Sequence, residues 1–335
     1  MTESRIRIGL LGAGAMGAVH ATAYAELEDV QVVGVFSRNL ERARSVAAQY
    51  NAEPFTDAGA LIRNAAVDAI DVCLPSTIHA DAVIPALAQG KHVFSETPLA
   101  LRLDEARCML DAARRADRLL QVGLLMRSLT PYEHIRAMTV SGEHGRLLGI
   151  STWRLGSYLR SGAPDHKAHY SDPSTELMTF DFDFIQWLMG PPVRLSATAA
   201  QTAQGSPGEI SALLDFEDDR HATVLASGLM PRGSPFSVGF RALFERVAFE
   251  LQSVFEDGPP RNRFTIVSDG AAPQPVSTPG RNPYQVELRR FVDCIRGRAD
   301  PQLLDAERAI EALVLSTATQ RALNERRAIE LSTVH

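Results

Sequence analysis

Short apolar runs alternate with helical spacing through the first third of the chain. Residues 5–11 (RIRIGLL) predict a strand, and a helical pattern through Val19, Tyr24 and Leu27 follows. Further strands are predicted at 31–36, 55–56, 67–74, 91–95 and 119–123. Helical patterns at 41–50, 57–64, 79–89 and 103–116 fill the gaps, and Gly90 supplies a stop for the third of these. Repeated β-α-β units imply a parallel sheet with helices on both faces. Beyond Gly123 the texture changes. A helix is expected at 131–141, a strand at 147–155 and a polar loop at 156–172. Asp172 can then cap one helix that starts at Pro173 and runs to Gly190. Strands follow at 193–200, 209–216, 221–227, 236–240, 247–251 and 264–267, and helices at 283–297 and 306–324 close the chain. Polar turns such as Glu217-Asp218-Asp219-Arg220 suggest antiparallel pairing, hence a mixed sheet with helices on one face.

The first strand runs straight into Gly12-Ala13-Gly14-Ala15-Met16-Gly17 and then the helix. Strand, G-x-G-x-x-G and helix in that order form a dinucleotide-binding fingerprint. Gly12 would make the tight turn, Gly14 would let backbone approach a pyrophosphate, and Gly17 would let helix pack on strand. The helix N-terminus, with its unpaired N–H groups and positive dipole end, would face the phosphates. At the end of the second strand stand Ser37 and Arg38, where an acid would accept hydrogen bonds from ribose and repel a 2′-phosphate. A small donor and a guanidinium suit that phosphate instead, so NADP(H) is favoured over NAD(H). A solvated turn is the plain alternative for Arg38.

Composition narrows the partners. The 335 residues, 45% apolar and 22% charged, suit a soluble chain of two domains. A net charge of −6 with no basic run argues against nucleic acid. No stretch approaches the roughly 18 unbroken apolar residues of a membrane span. The chain opens on its first strand, so no signal peptide is expected and a cytoplasmic location is. Cys73, Cys108 and Cys294 read as buried thiols of a reducing compartment, and no spacing resembles a metal site.

A longer set of motifs points to one family. Pro75-Ser76-Thr77-Ile78-His79, Gly90-Lys91-His92-Val93 and Ser95-Glu96-Thr97-Pro98-Leu99-Ala100 closely resemble the Gfo/Idh/MocA oxidoreductases. So do Val122 to Arg127 at the domain junction, Ser141-Gly142-Glu143 with Gly145-Arg146, Asp183 with Trp187 to Gly190, and Tyr284 with Phe291 to Asp293. The resemblance implies an α/β protein: a Rossmann doubly wound parallel sheet over 1–123, then an α+β domain over 124–335 with an open, mainly antiparallel mixed sheet. That second sheet would form a homodimer or homotetramer. The resemblance further implies a nicotinamide cofactor touched by Leu74, Pro75, Ser76, His79, Glu96, Thr97 and Arg127. Hydride would move to or from a sugar- or cyclitol-like small molecule in the cleft at the carboxyl ends of the parallel strands. His79 could equally be a local cap, and Arg127 could pair with an acid at the junction.

Two departures from the family pattern bear on chemistry. The usual motif is Glu-Lys-Pro, whose lysine assists proton transfer; here the middle residue is Thr97. A lysine can be tuned to shuttle a proton, whereas a threonine hydroxyl can only hydrogen-bond a substrate oxygen. The usual Asp, His and Asp on one helix face are here Glu176, Phe180 and Asp183. A rebuilt relay could use Glu176, Asp183 or the loop residues Lys167, His169 and Tyr170. Phe180 could line a less polar pocket. Alternatively, the substrate carries an activated C=C or C=N bond that needs little acid help, or the chain binds dinucleotide silently as a regulator. His20, His134, His144, His221 and His335 show no constellation in the sequence.

Overall fold

The computed structural model describes residues 4–159, 172–256 and 260–334. The chain forms two compact units, one of Met1–Ser128 with Arg281–Ile310, the other of Leu129–Gly280 with Glu311–His335. The first unit thus includes a stretch that the sequence assigns to the 124–335 half.

In the first unit the order is β1 (Ile6–Leu11), α1 (Ala15–Ala25), β2 (Val30–Phe36), α2 (Leu40–Ala47), β3 (Glu53–Phe55) and α3 (Ala58–Arg63). Then come β4 (Ala69–Val72), α4 (His79–Ala88), β5 (His92–Ser95), α5 (Leu103–Ala116) and β6 (Leu120–Val122). The six strands pair in the order β3-β2-β1-β4-β5-β6, all parallel. Strand β4 is buried at every position, as a strand covered by helices on both faces must be. The order reverses between β1 and β4, which makes the ends of those two strands the crevice where such sheets bind ligands.

The second unit opens with α6 (Thr130–Ser141) and β7 (Leu147–Leu155). The single helix expected from Pro173 to Gly190 is two: α7 (Pro173–Glu176) and α8 (Met178–Met189). Leu177 interrupts it at φ −118°, where its side chain is buried and its amide still reaches the Pro173 carbonyl. Strands β8 (Arg194–Gln201), β9 (Pro207–Asp215), β10 (His221–Ser227), β11 (Phe236–Phe244), β12 (Val247–Phe255), β13 (Arg261–Ser268), β14 (Gln274–Pro275) and β15 (Ile329–Glu330) complete a nine-stranded sheet. Its order is β14-β13-β12-β11-β7-β10-β9-β8-β15, antiparallel throughout except for the β7–β10 pair. Strands β11 to β13 outrun their apolar cores because cross-strand partners such as Arg241 and Glu250 continue the ladder through polar positions. One face of the sheet is packed: Tyr132 of α6 lies edge-on to Phe184 of α8 and Phe240 of β11, with ring centroids 4.6 and 5.0 Å apart.

Two helices, α9 (Pro283–Ile295) and α10 (Ala306–Glu325), lie between β14 and β15. Helix α9 belongs to the first unit, and the reasons are specific. Phe291 packs on Phe94 of β5, and Arg289 forms a two-bond ion pair with Asp29. Downstream, Gln121 donates to the Pro301 carbonyl at 3.1 Å and Arg127 to that of Leu303 at 3.0 Å. Among the described residues no helix is long and apolar enough to cross a membrane.

Candidate dinucleotide site

The glycine loop after β1 is fixed by sterics at two positions and left open at a third. Gly12 sits at φ +127°, and a Cβ there would stand 2.4 Å from the Cys73 carbonyl oxygen of the neighbouring loop. A Cβ on Gly17 would stand 1.9 Å from the Gly12 carbonyl. Gly14 is different: no atom lies within 4 Å of where its Cβ would be. It is the N-cap of α1, gives no side-chain bond, and α1 has no acid in its first turn. By contrast, the Asn39 side chain caps α2 by accepting from the Arg42 amide. The α1 terminus therefore presents unpaired N–H groups and a positive dipole end to an open space beside exposed Ala15 and half-buried Met16. That cradle fits a pyrophosphate, with Gly12, Gly14, Ala15, Met16 and Gly17 as its walls.

The end of β2 carries no carboxylate. Ser37 is half-buried, its amide bound to the Phe55 carbonyl at 3.0 Å and its hydroxyl accepting from the Asn39 amide at 3.2 Å. Arg38 is exposed. After β4, half-buried Leu74, Pro75 and Ser76 lead into a single 3-10 turn, and His79 follows fully buried. His79 Nε2 lies 2.8 Å from the Leu74 carbonyl and Nδ1 3.2 Å from that of Leu99. These bonds are not a helix cap: the start of α4 has no side-chain cap. Burial holds its pKa below the usual value, so the ring is neutral: Nε2–H donates to Leu74, and Nδ1 can accept from the Ser95 hydroxyl 3.4 Å away. Arg127 is buried as well and donates to the Leu303 carbonyl.

After β5 come Glu96 and Thr97, the latter joined to Pro98 by a cis peptide bond. The Thr97 hydroxyl donates to the Gly123 carbonyl at 2.8 Å, and the Thr97 amide donates to Glu96 Oε2 at 3.1 Å. The other Glu96 oxygen, Oε1, lies 2.7 Å from His20 Nε2 as an ion-pair contact. His20 is completely buried, and its Nδ1 bonds Asp71 of β4 at 2.8 Å, with the Cys73 sulfur 3.3 Å away. His20 does have a constellation, which corrects the expectation from the sequence. Among the described residues, two groups of His, Cys, Asp and Glu place ligand-type atoms within 4.8 Å of one another: His20, Asp71 and Cys73, and His20, Glu96 and Glu287. Their members come from α1, β4, β5 and α9, so no spacing along the chain displays them. One signal existed: His20 and Asp71 each break an apolar surface that a neutral residue would complete. The cysteines also differ from expectation, since Cys73 is half-buried, Cys108 exposed and only Cys294 buried.

In the second unit Asp172 caps α7 by accepting from the Ser174 amide at 2.8 Å, as the sequence suggests. Glu176 and Asp183 are both buried. Between them along the chain, Asp181 pairs with buried Arg154 of β7 at 2.8 Å, and that guanidinium lies over the Phe180 ring at 4.7 Å. Burial lifts the Asp181 carboxyl above its usual range, although Arg154 opposes the shift. Neither Arg154 nor Asp181 stands out in the sequence. Lys167, His169 and Tyr170 lie outside the described residues.

Comparison with known proteins agrees with this architecture. The pattern of an oxidoreductase family with an NAD-binding Rossmann fold (GFO_IDH_MocA) matches residues 6–124, and that of the GFO/IDH/MocA C-terminal domain matches 132–250. The rhizopine catabolism protein MocA of Rhizobium meliloti is 28% identical, over 96% of this chain and 96% of its own. The inositol 2-dehydrogenase of Rhizobium meliloti (strain 1021) is 27% identical, over 98% of this chain and 99% of its own. The solved UDP-N-acetylglucosamine 3-dehydrogenase of Acidithiobacillus ferrooxidans shares the fold, with a TM-score of 0.82 at 22% identity over 96% of this chain and 99% of that one. On its two matched halves, its parallel nucleotide-binding sheet and its nine-stranded second sheet, the chain belongs to the Gfo/Idh/MocA family of oxidoreductases.

Proposed function

We propose that this chain is an NADP(H)-preferring oxidoreductase that moves hydride to or from a carbon bearing a hydroxyl or carbonyl in a small sugar- or cyclitol-like molecule. The observation that carries the reading is the open cradle at Gly14, an uncapped helix N-terminus with no acid in its first turn. Relatives of nearly equal length concerned with inositol and rhizopine support the polyol class. Exposed Arg38 beside Ser37, at a strand end without a carboxylate, supports the 2′-phosphate. A bound nicotinamide would supply the hydride donor or acceptor; the chain contributes orientation and exclusion of water.

Proton handling is rebuilt. The Thr97 hydroxyl spends its proton on the Gly123 carbonyl and keeps lone pairs with which to accept from a substrate hydroxyl. Glu176 and Asp183 are the carboxylates best suited to take a proton, with Lys167 and His169 as further candidates. Because position 97 holds no titratable group, reduction of an activated C=C or C=N bond is the second reading. The chain works in the cytoplasm as a homodimer or homotetramer joined through the outer face of the nine-stranded sheet.

Fluorescence titration with NADPH and NADH tests the cofactor assignment. NADPH is expected to bind about tenfold more tightly, and Arg38→Asp to reverse the order. Equal affinities, or a preference for NADH, overturn it. A panel of inositols, sugars, enones and imines read by reduced-nicotinamide absorbance then separates polyol chemistry from activated-bond reduction. Tight dinucleotide binding with no turnover on any of them supports the silent regulator.

A further inference from the structure

Behind the glycine loop lies a buried charge cluster that the proposed hydride chemistry does not use. His20 and Tyr24 come from α1, Asp71 and Cys73 from β4 and its end, Glu96 from the end of β5, and Tyr284 and Glu287 from α9. His20, Asp71 and Glu287 are completely buried. Asp71 and Glu96 stand against opposite ring nitrogens of His20, at 2.8 and 2.7 Å. A neutral imidazole carries one N–H only, so one of those nitrogens would meet a carboxylate oxygen lone pair to lone pair. Only the imidazolium can donate to Asp71 and also set a positive charge against Glu96, where the 2.7 Å contact is an ion pair not aligned as a hydrogen bond. Glu287 adds a third carboxyl group, and neither of its oxygens has a hydrogen-bond partner.

A metal ion is the other occupant such a set could hold, and the spacing disfavours it. Two ligands on one tetrahedral zinc, each about 2.1 Å from it, stand about 3.4 Å apart. Nε2 and Oε1 are closer than that, at 2.7 Å.

We propose that His20 is a positioning residue: as an imidazolium clamped between Asp71 and Glu96, with Glu287 behind as the neutral acid, it fixes the Glu96 carboxylate at the end of β5 toward the dinucleotide. The inference rests on the reading that Glu96 meets the cofactor, which the function proposed above includes. Glu96 is anchored from two sides, by His20 at Oε1 and by the Thr97 amide at Oε2. Burial alone would discharge the imidazole, but the facing Asp71 carboxylate and Cys73 sulfur outweigh it and hold its pKa well above the usual value. Burial, together with the Glu96 and Asp71 charges, pushes the Glu287 carboxyl well above the carboxylate range against the pull of His20. The Tyr24 hydroxyl is likewise raised by burial and by Asp71, so it stays protonated.

Two measurements on the full chain test this. In protein with nitrogen-15-labelled histidine, His20 is assigned by its contacts to the Phe94 and Tyr284 rings and by its loss in His20→Gln. Both its nitrogens should remain protonated well beyond the ordinary histidine value of about 6.5. A neutral ring at pH 7, or a ring signal that changes on chelation together with one bound metal per chain, overturns the proposal. The second measurement is the pH profile of the NADPH dissociation constant. It should be flat from pH 6 to 8 in the native chain. In His20→Gln the carboxyl groups left without their cation should take up a further proton across that range, and affinity should fall about tenfold from pH 8 to 6. Adding Glu287→Gln should flatten the profile again. A His20→Gln profile parallel to that of the native chain means packing alone and overturns the proposal. If the native chain binds no dinucleotide, the functional reading fails, while the nitrogen spectrum still decides the charge of His20.

Discussion

Two buried histidines in the first unit are set to opposite charges. At His20 the facing carboxylate outweighs burial and holds the ring charged, whereas at His79 burial outweighs the backbone carbonyls and holds it neutral. Their contributions to stability therefore run in opposite directions with pH. A histidine with a raised folded pKa stabilises fully below pH 6.5, and that contribution is lost as pH climbs through the folded value. Glu287, raised above its usual 4.5, behaves in the same way from that pH upward. His79, with a lowered pKa, stabilises above pH 6.5 and loses its contribution as pH falls. The chain should accordingly lose stability on the alkaline side through His20 and Glu287. Glu287→Gln, which mimics the protonated acid, should flatten that loss by up to about 1.4 kcal/mol per pH unit where Glu287 titrates. Urea unfolding from pH 5 to 9 reads the two slopes; identical slopes would show that Glu287 does not hold a proton in the fold.

At the scale of elements, the turn between β1 and α1 separates folding from binding within six residues. Gly12 and Gly17 are demanded by carbonyl oxygens that a Cβ would strike, but Gly14 is demanded by nothing inside the protein. An Asp at this N-cap would accept from the first-turn amides and complement the dipole, for about 0.5–1 kcal/mol of added stability. The same carboxylate would occupy the phosphate position and repel a second anion. Gly14→Asp is therefore expected to melt no lower than the native chain while weakening dinucleotide binding on the order of a hundredfold, about 2.7 kcal/mol. Unchanged affinity in a well-folded Gly14→Asp would mean that the cradle holds no phosphate. Helix α9 shows the complementary case, an element whose place is set by partners far away in sequence. Its Phe291 and Arg289 find Phe94 and Asp29.

For the whole molecule, the assembly proposed above would use the less packed face of the nine-stranded sheet. Leu213 on β9 and Leu243 on β11 are 39% and 45% exposed. The row Ser196–Leu213–Thr223–Ser151–Arg241 runs across five strands in register, polar at its end and with Leu213 within it. A sheet with one packed face and one bare face of small, weakly polar side chains suits a second copy of itself. Light scattering after size exclusion should give twice or four times the chain mass, and Leu213→Glu with Leu243→Glu should lower it while leaving the circular dichroism unchanged. A native monomer would remove this surface from consideration.

Order along the chain was enough to derive the alternating strands and helices, the glycine turn and its likeness to one family. Those features depend on neighbours in sequence, on periodicity and on the backbone freedom of glycine. Strand ends, the break at Leu177 and the assignment of residues 281–310 to the first unit were not legible. They follow from cross-strand pairing and from long-range contacts such as Gln121 with Pro301. The charge cluster was the least legible of all. His20, Asp71, Glu96 and Glu287 are single polar residues in separate elements, and nothing along the chain pairs one with another. Only the folded chain brings them within hydrogen-bonding and ion-pair reach, and burial there, which makes an unpaired charge costly, gives each of them its protonation state.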